Sequence, residues 1–181
     1  MSKIQTLTYP DYAAINDGKR YELVEGELHE MAPSPGTPHQ GSSFSLSGFF
    51  FAYIEKTGRG RAFAAPIDVI LSGDTVLQPD FIYLSEEQLS LISQRGIEGA
   101  PSLVIEILSP STAARDRGLK ANLYFKHGAQ EYWLIDPSLR IVEVFQRGSD
   151  RFDLARTYAG DDMQTSPLLL GFTLKVSRLF R

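Results

Sequence analysis

The sequence predicts an α/β fold with α+β character at its ends, one central mixed β-sheet flanked by helices. Three observations carry this. Leu103-Val104-Ile105-Glu106-Ile107-Leu108 is a short apolar run closed off by Pro101 and Pro110, the pattern of a buried strand. The segments around it follow the order helix, strand, strand, strand, helix, strand, as in a sheet covered by helices. A β-hairpin precedes this block and a β-meander follows it. With 181 residues, 43% of them hydrophobic, the chain suits one domain, 1-181, large enough to bury a core.

Taken in order, Thr8-Tyr9-Pro10-Asp11 opens a short helix, with Thr8 as cap, Pro10 in the first turn and Gly18 ending it. Arg20 to Val24 and Glu27 to Met31 are strands joined by Glu25-Gly26 as a hairpin, which sets Tyr21 and Leu23 on one face, Glu22 and Val24 on the other. A loop rich in Pro, Ser and Gly, Ala32 to Pro38, leads to His39 at the mouth of a helix that runs to about Thr57 and stops at Gly58. Its apolar positions are Phe44, Leu46, Phe50, Phe51 and Ile54. Arg61 to Leu71 is extended with a bend at Pro66, Ser72-Gly73-Asp74 turns, and Thr75 to Leu84 returns as a strand carrying Asp80. Ser85 caps a surface helix, and a loop from Gly96 to Gly99 leads into the central strand. After Ser109-Pro110-Ser111-Thr112, a helix covers Ala113 to Lys126 and closes near Gly128. Glu131 to Ile135, Arg140 to Gln146 and Arg151 to Tyr158 are strands, the last two forming the meander. The tail 159-181 mixes strand and helix signals without resolving into either.

Composition narrows the chemistry. No cysteine means no disulfide, no thiolate metal site and no cysteine nucleophile, which suits a reducing cytosol. The start, Met1 to Thr6, lacks a signal-peptide apolar region, and Phe49 to Ile54 is too short to span a bilayer, so a soluble cytoplasmic protein without membrane attachment is expected. A formal charge of −4 offers no global basic field, so nucleic acid would have to be held by a local patch.

Two carboxylates stand where the pattern disfavours them. Glu106 interrupts a buried strand, where an ionised side chain is costly without a partner or a metal; a sheet-edge glutamate reaching water or an arginine is the plainer alternative. Asp80 follows Pro79 inside an apolar run, and a turn stabilised by its side chain would also account for it. Converging from neighbouring strands, the two would repel, raise each other's pKa and attract a cation, and oxygen ligands suit Mg²⁺ or Mn²⁺. Asp116, Lys120 and Tyr124 recur every four residues along one helix face, which sets Lys120 over the carboxylates or, more simply, in a helix salt bridge with Asp116. Arg115 and Arg117 flank them and are candidates to meet phosphates, as are Lys56, Arg59 and Arg61 on a turn that is otherwise simply solvated. Glu22 and His39 are weaker candidates; neither His29 nor His127 pairs with His39 at zinc-ligand spacing.

Tyr21-Glu22-Leu23-Val24-Glu25-Gly26-Glu27-Leu28, His39, Gln78-Pro79-Asp80, Val104-Ile105-Glu106-Ile107-Leu108-Ser109-Pro110-Ser111-Thr112, Asp116 with Lys120 and Tyr124, and Glu131-Tyr132-Trp133-Leu134-Ile135-Asp136-Pro137 together resemble the Uma-two family. That family belongs to the PD-(D/E)XK nuclease superfamily, and the likeness spans roughly residues 8 to 147. It implies a restriction-endonuclease-like core in which Asp80 is the motif aspartate and Glu106 its second acid. Leu108 stands where the superfamily expects a lysine, and the resemblance maps a migrated lysine onto Lys120, with Glu22 as a further acidic ligand. The implied activity is Mg²⁺-dependent or Mn²⁺-dependent hydrolysis of DNA phosphodiesters by an endonuclease.

Two rival functions remain open at this level. One is an inactive nuclease-fold module that only binds nucleic acid or a protein partner. The other, a glycosidase using two carboxylates, leaves Lys120 unexplained and lacks a tryptophan-rich groove, since Trp133 is the only tryptophan. The exposed strands of the meander predict a homodimer.

Overall fold

The structure, a computed structural model, describes residues 6–180, so the segment 1–5 that carries the expectation about the chain's start lies outside the described residues. Helix α1 (Tyr9–Ala13) starts with a capping box in which Asp11 accepts from the Thr8 backbone and hydroxyl. The hairpin β1 (Tyr21–Val24) and β2 (Glu27–Glu30) follows, turned by Glu25 and Gly26, both at positive φ. Helix α2 (Thr37–Thr57) begins with Pro38 in its first turn and ends on left-handed Gly58.

The expected single sheet is instead two six-stranded sheets, with a small ribbon beside them. The extended runs 61–71 and 75–84 each break in two at a proline, because a residue without an N–H cannot continue a ladder. They give β3 (Arg61–Ala64), β4 (Val69–Ser72), β5 (Thr75–Leu77) and β6 (Phe81–Leu84). The breaks matter for the site: β4 and β5 join the first sheet, β3 and β6 the second, and Gln78-Pro79-Asp80 is the bridge between sheets. The segment after Ser85 is a 3₁₀ helix, Glu86–Leu91, without the side-chain cap bond expected of that serine, followed by the two-residue strands β7 (Ile92–Ser93) and β8 (Gly96–Ile97). The first sheet runs β2-β1-β5-β4-β8-β7.

The second sheet has β9 (Leu103–Ile107) at its centre, parallel to β10 (Glu131–Asp136) and antiparallel to β6. β11 (Ile141–Arg147) and β12 (Phe152–Ala159) complete it, giving the order β12-β11-β10-β9-β6-β3. The parallel pair is joined by the helical crossover that such pairs require. This crossover is not one regular helix: α3 (Ala113–Arg115) passes through a π-helical turn, Asp116–Lys120, into α4 (Ala121–His127).

Alternation along β9 and β10 divides the core in two. Leu103, Ile105, Ile107, Trp133 and Ile135 face Leu46, Phe50 and Tyr53 of α2. Val104, Leu108, Tyr132 and Leu134 face the first sheet and α4 through Leu77, Leu123 and Tyr124. The tail joins the α2 side: Leu169, Phe172, Leu174, Val176 and Leu179 are buried there, around the ribbon β13 (Met163–Gln164) and β14 (Leu174–Lys175). Turns separate these residues, so no period of two or 3.6 announces them. Of the apolar positions expected to anchor α2, Phe44 and Phe51 point into solvent, and Tyr53 fills the inward face instead.

Candidate active site

The site begins with the pleat of β9. Because Ile105 and Ile107 face α2, Glu106 between them faces the opposite way, toward the crossover helix, and it is buried. Lys120 Nζ donates to its Oε1 at 3.0 Å, and the Tyr124 hydroxyl lies 3.5 Å from the same oxygen. Its other oxygen, Oε2, accepts from the Asp80 backbone N–H at 3.3 Å. Asp80 returns the contact: its Oδ2 accepts from the Ile107 N–H at 2.8 Å and lies 3.2 Å from His39 Nε2. The bridge between sheets thus has a physical role, since leaving both ladders at Pro79 frees Asp80 to reach across to β9.

Glu22 arrives from β1 in the other sheet. Its face of the hairpin turns inward, and the side chain is only 1% exposed. Oε1 accepts from the Gln78 N–H at 2.8 Å and lies 3.1 Å from Lys120 Nζ, while Arg115 Nη1 approaches Oε2 at 2.7 Å. Arg115 and Lys120 are five residues apart, a spacing that a π-turn, with its longer period, brings to one side. Lys120 also stands 3.6 Å from Asp116 Oδ1, so the expected helix pair exists but is one of three contacts made by a buried ammonium. The Tyr132 hydroxyl holds the turn by donating to the Asp116 carbonyl at 2.9 Å.

Four carboxylates, Glu22, Asp80, Glu106 and Asp116, thus gather around two cations, Lys120 and Arg115, with His39 beside Asp80. Burial first, and the crowding of carboxylates second, set the titration directions. Burial lifts Glu106 well above the usual carboxylate range; Lys120 opposes this, while Asp116, Asp80 and Glu22 add to it. Burial likewise raises Asp116, with Lys120 again opposing. Burial alone would lower Lys120, but Glu106, Glu22 and Asp116 together outweigh it and push the ammonium up, so it stays protonated. Tyr124 is raised by burial and by Glu106, and remains neutral.

The cluster opens on a cleft of about 450 Å³ whose walls include Arg20, His39, Asp80, Ser109, Thr112 and Lys120. The Ala32 to Pro38 loop forms one lip. Of the residues expected to meet phosphates, Arg115 pairs with Glu22 through Nη1 and does not line the cleft, and Arg117 turns away to pair with Glu143 of β11. Lys56, Arg59 and Arg61 are exposed and do not line the cleft. Sequence reasoning passed over Gln78 and Arg20. Gln78 anchors Glu22 through its N–H and, through its side chain, bonds Asp68 at 2.9 Å and the Tyr12 hydroxyl at 3.1 Å; Arg20 donates to its Oε1. A polar residue directly before Pro79, at the break in an apolar run, was the available signal.

Carboxylate oxygens crowded at an open cleft fit a hard divalent cation. Among the described residues no three Asp, Glu or His side chains form a preformed cage. Mg²⁺ does not need one, since it is commonly held by one or two carboxylates with water and substrate phosphate completing the shell. Asp80 and Glu106 fit that role: both border the cleft, Glu106 accepts from the Asp80 N–H, and Asp80 accepts from the N–H of Ile107, the next residue on β9.

A mixed sheet with paired acids at the end of its central strands, beside a buried lysine, defines a nuclease-like class of protein. The chain belongs to the Uma2 family, described as "putative restriction endonuclease", whose model matches residues 6–177. Among curated relatives, Uncharacterized protein sll1609 of Synechocystis sp. (strain ATCC 27184 / PCC 6803 / Kazusa) is 26% identical over 148 residues, 81% of this chain and 82% of that protein. Uncharacterized protein slr1290 of the same organism is 35% identical over 78 residues, 42% of this chain and 41% of its own. The fold matches a solved "putative nuclease belonging to DUF820" from Anabaena variabilis ATCC 29413 with a TM-score of 0.76 at 22% identity, over 96% of this chain and 97% of that one. No helix among the described residues is long and apolar enough to cross a membrane.

Proposed function

We propose that the protein is a Mg²⁺- or Mn²⁺-dependent endonuclease that hydrolyses DNA phosphodiester bonds, with Asp80 and Glu106 as metal ligands. The observation that carries this reading is the pair of carboxylates, Asp80 and Glu106, that meet at the cleft wall from neighbouring strands, oxygen donors of the kind a hard divalent cation takes. When bound, the cation would polarise a scissile phosphate and lower the pKa of a water. The protein's own groups supply the frame. The Ile107 N–H and His39 fix Asp80, and the Asp80 N–H and Lys120 fix Glu106. Lys120 holds Glu22, Glu106 and Asp116 together and, as a permanent ammonium, offsets charge near the phosphate without accepting a proton. Arg20, Ser109 and Thr112 at the cleft wall are donors for phosphate oxygens. In the reaction a water oxygen bonds to phosphorus, the ester P–O bond breaks, and the leaving alcohol takes a proton.

Calorimetric titration with Mg²⁺ and Mn²⁺ tests this without a guess about substrate. The parent should bind, Asp80→Asn and Glu106→Gln should not, and cleavage of duplex or single-stranded DNA should follow the same pattern. One observation favours the binding-only alternative: three carboxylates already occupy the Lys120 ammonium, and Leu108 fills the position where a strand lysine would stand. Metal-independent retention of DNA that survives Asp80→Asn would select that reading.

A further inference from the structure

Two residues with a permanent positive charge, Arg20 and Lys120, line the cleft, and their surroundings are opposite. Lys120 is buried, with three carboxylates around its ammonium. Arg20, the residue before β1, is exposed, and among the described residues no carboxylate pairs with it. Nearby cations are not free in this way: Glu30 takes Lys19 at 2.8 Å, Glu22 takes Arg115, and Glu143 takes Arg117.

The partner that Arg20 does have is neutral. Its Nη2 donates to Gln78 Oε1. The amide cannot be turned round, because an arginine offers only donors and the Gln78 Nε2 is already committed on its other side, to Asp68 Oδ1 at 2.9 Å and the Tyr12 hydroxyl at 3.1 Å. Tyr12 in turn lies 3.0 Å from the same Asp68 oxygen, so the clamp on Gln78 is itself held. Arg20 acts on Asp68 only across this amide: burial raises the Asp68 carboxyl, and its hydrogen bonds with Tyr12 and Gln78 oppose that more than Arg20 does. A carboxylate at position 78 would grip the guanidinium harder but cancel its charge; an amide fixes it and leaves the charge available.

The main chain of Gln78 ties this clamp to the carboxylates. Its N–H donates to Glu22 at 2.8 Å, and Pro79-Asp80 follows directly. The Cα atoms of Gln78 and Asp80 are at most about 7 Å apart, the reach of two residues. The guanidinium therefore stands beside the Asp80 and Glu106 pair rather than on it.

We propose that Gln78 is a positioning residue for substrate: it aims Arg20, with its charge uncancelled, at the phosphate next to the scissile one on the bound strand. This rests on the reading of the cleft as a nuclease site. It also sets the footprint. One free cation on the cleft wall neutralises one flanking phosphate, so DNA held here releases few counterions and its affinity depends only shallowly on salt.

Fluorescence anisotropy of a short labelled single strand of DNA, with Ca²⁺ as the hard cation and salt varied, tests this. Arg20→Gln should weaken binding about tenfold to hundredfold at low salt and flatten the slope of log affinity against log salt by about 0.7, the share of one phosphate on a single strand. Gln78→Leu should weaken binding by a smaller factor, and the double variant should bind no worse than Arg20→Gln alone, because Gln78 acts through Arg20. Gln78→Glu, which still accepts from Arg20 but cancels its charge, should flatten the slope as Arg20→Gln does. Mn²⁺ binding should persist in Gln78→Leu, whose backbone N–H still holds Glu22. The parent's salt slope in Arg20→Gln or in Gln78→Glu would overturn the inference, as would losses that add in the double variant or loss of Mn²⁺ binding in Gln78→Leu. A parent that binds Mn²⁺ but no DNA would overturn it and leave the metal site standing. A parent that binds DNA in the expected pattern but no Mn²⁺ would defeat the metal-dependent reading alone.

Discussion

Glu106 and Glu131 stand on neighbouring parallel strands of one sheet, 2% and 3% exposed, and face opposite sides. Burial raises both above the usual carboxylate range. Their surroundings differ in kind. Glu131 accepts from Trp133 Nε1 at 2.9 Å and from Ser166 Oγ at 2.9 and 3.0 Å, neutral donors in a closed pocket behind the tail. Glu106 shares one ammonium with two other carboxylates, sits beside a fourth, and borders an open cleft. A buried glutamate alone is thus a weak sign of function. Crowded carboxylates with access for a ligand are the stronger one.

The sharpest way to break the contrast is to remove the carboxylates on the cleft side. Asp80→Asn and Glu106→Gln should each abolish Mg²⁺ and Mn²⁺ binding and lower any DNA hydrolysis by roughly 10³-fold or more, the several kcal/mol a metal ion contributes to a charged transition state. Glu131→Gln should leave metal binding unchanged in the same titration. Loss of binding in Glu131→Gln as well would mean that the two glutamates are not functionally distinct. Next in size is Lys120→Ala, which leaves Glu22, Glu106 and Asp116 buried around a missing cation. Breaking a buried ion cluster in this way costs about 3–5 kcal/mol, readable as a lower urea midpoint. If Lys120→Ala cleaved DNA as fast as the parent, its catalytic assignment would be wrong even though its structural role stood.

The sequence made one side of this comparison legible and left the other obscure. Glu106 and Asp80 were visible because each breaks a local rule, an acid in an apolar strand and an acid after a strand proline, and Lys120 because the family resemblance maps the missing strand lysine onto it. Their convergence required facts that no local pattern holds. The Thr75 to Leu84 run looks like one strand, yet Pro79 divides it between two sheets, and that division is what carries Asp80 to β9. The π-turn that brings Arg115 and Lys120 to the same glutamate is equally silent in a four-residue spacing. Glu131 was read only as part of a strand, because its partner Ser166 lies 35 residues away in a tail whose buried positions follow no period.

His39 offers a smaller test on the cleft side. Its Nε2 lies 3.2 Å from Asp80 Oδ2, and its Nδ1 is buried without a hydrogen-bond partner. As a group that orients a ligand rather than being one, it should matter less than the carboxylates: His39→Ala is expected to weaken Mn²⁺ binding by about 10- to 100-fold, the usual effect of losing an outer-shell partner. His39→Gln, which can still donate to Asp80, should recover most of this. A loss as complete as that of Asp80→Asn would place His39 among the ligands themselves.

The smallest effect belongs to Glu131, and there the sign is the test. Burial raises its folded pKa, with the hydrogen bonds from Trp133 and Ser166 opposing. The folded state therefore binds a proton that the unfolded chain, titrating near the ordinary value of about 4.3, has already released. Stability must then fall as pH rises from that value through the raised folded pKa, and level off above it. Glu131→Gln has no such titration and keeps one oxygen to accept from Trp133 or Ser166; its cost at low pH should be about 1 kcal/mol, the net worth of a buried hydrogen bond. The melting temperature of the parent minus that of Glu131→Gln should thus shrink as pH rises across the window and hold constant beyond it. A difference that grew with pH would mean that Trp133 and Ser166 stabilise the carboxylate more than burial penalises it, and Glu131 would then be a charged site that its own hydrogen bonds suffice to balance.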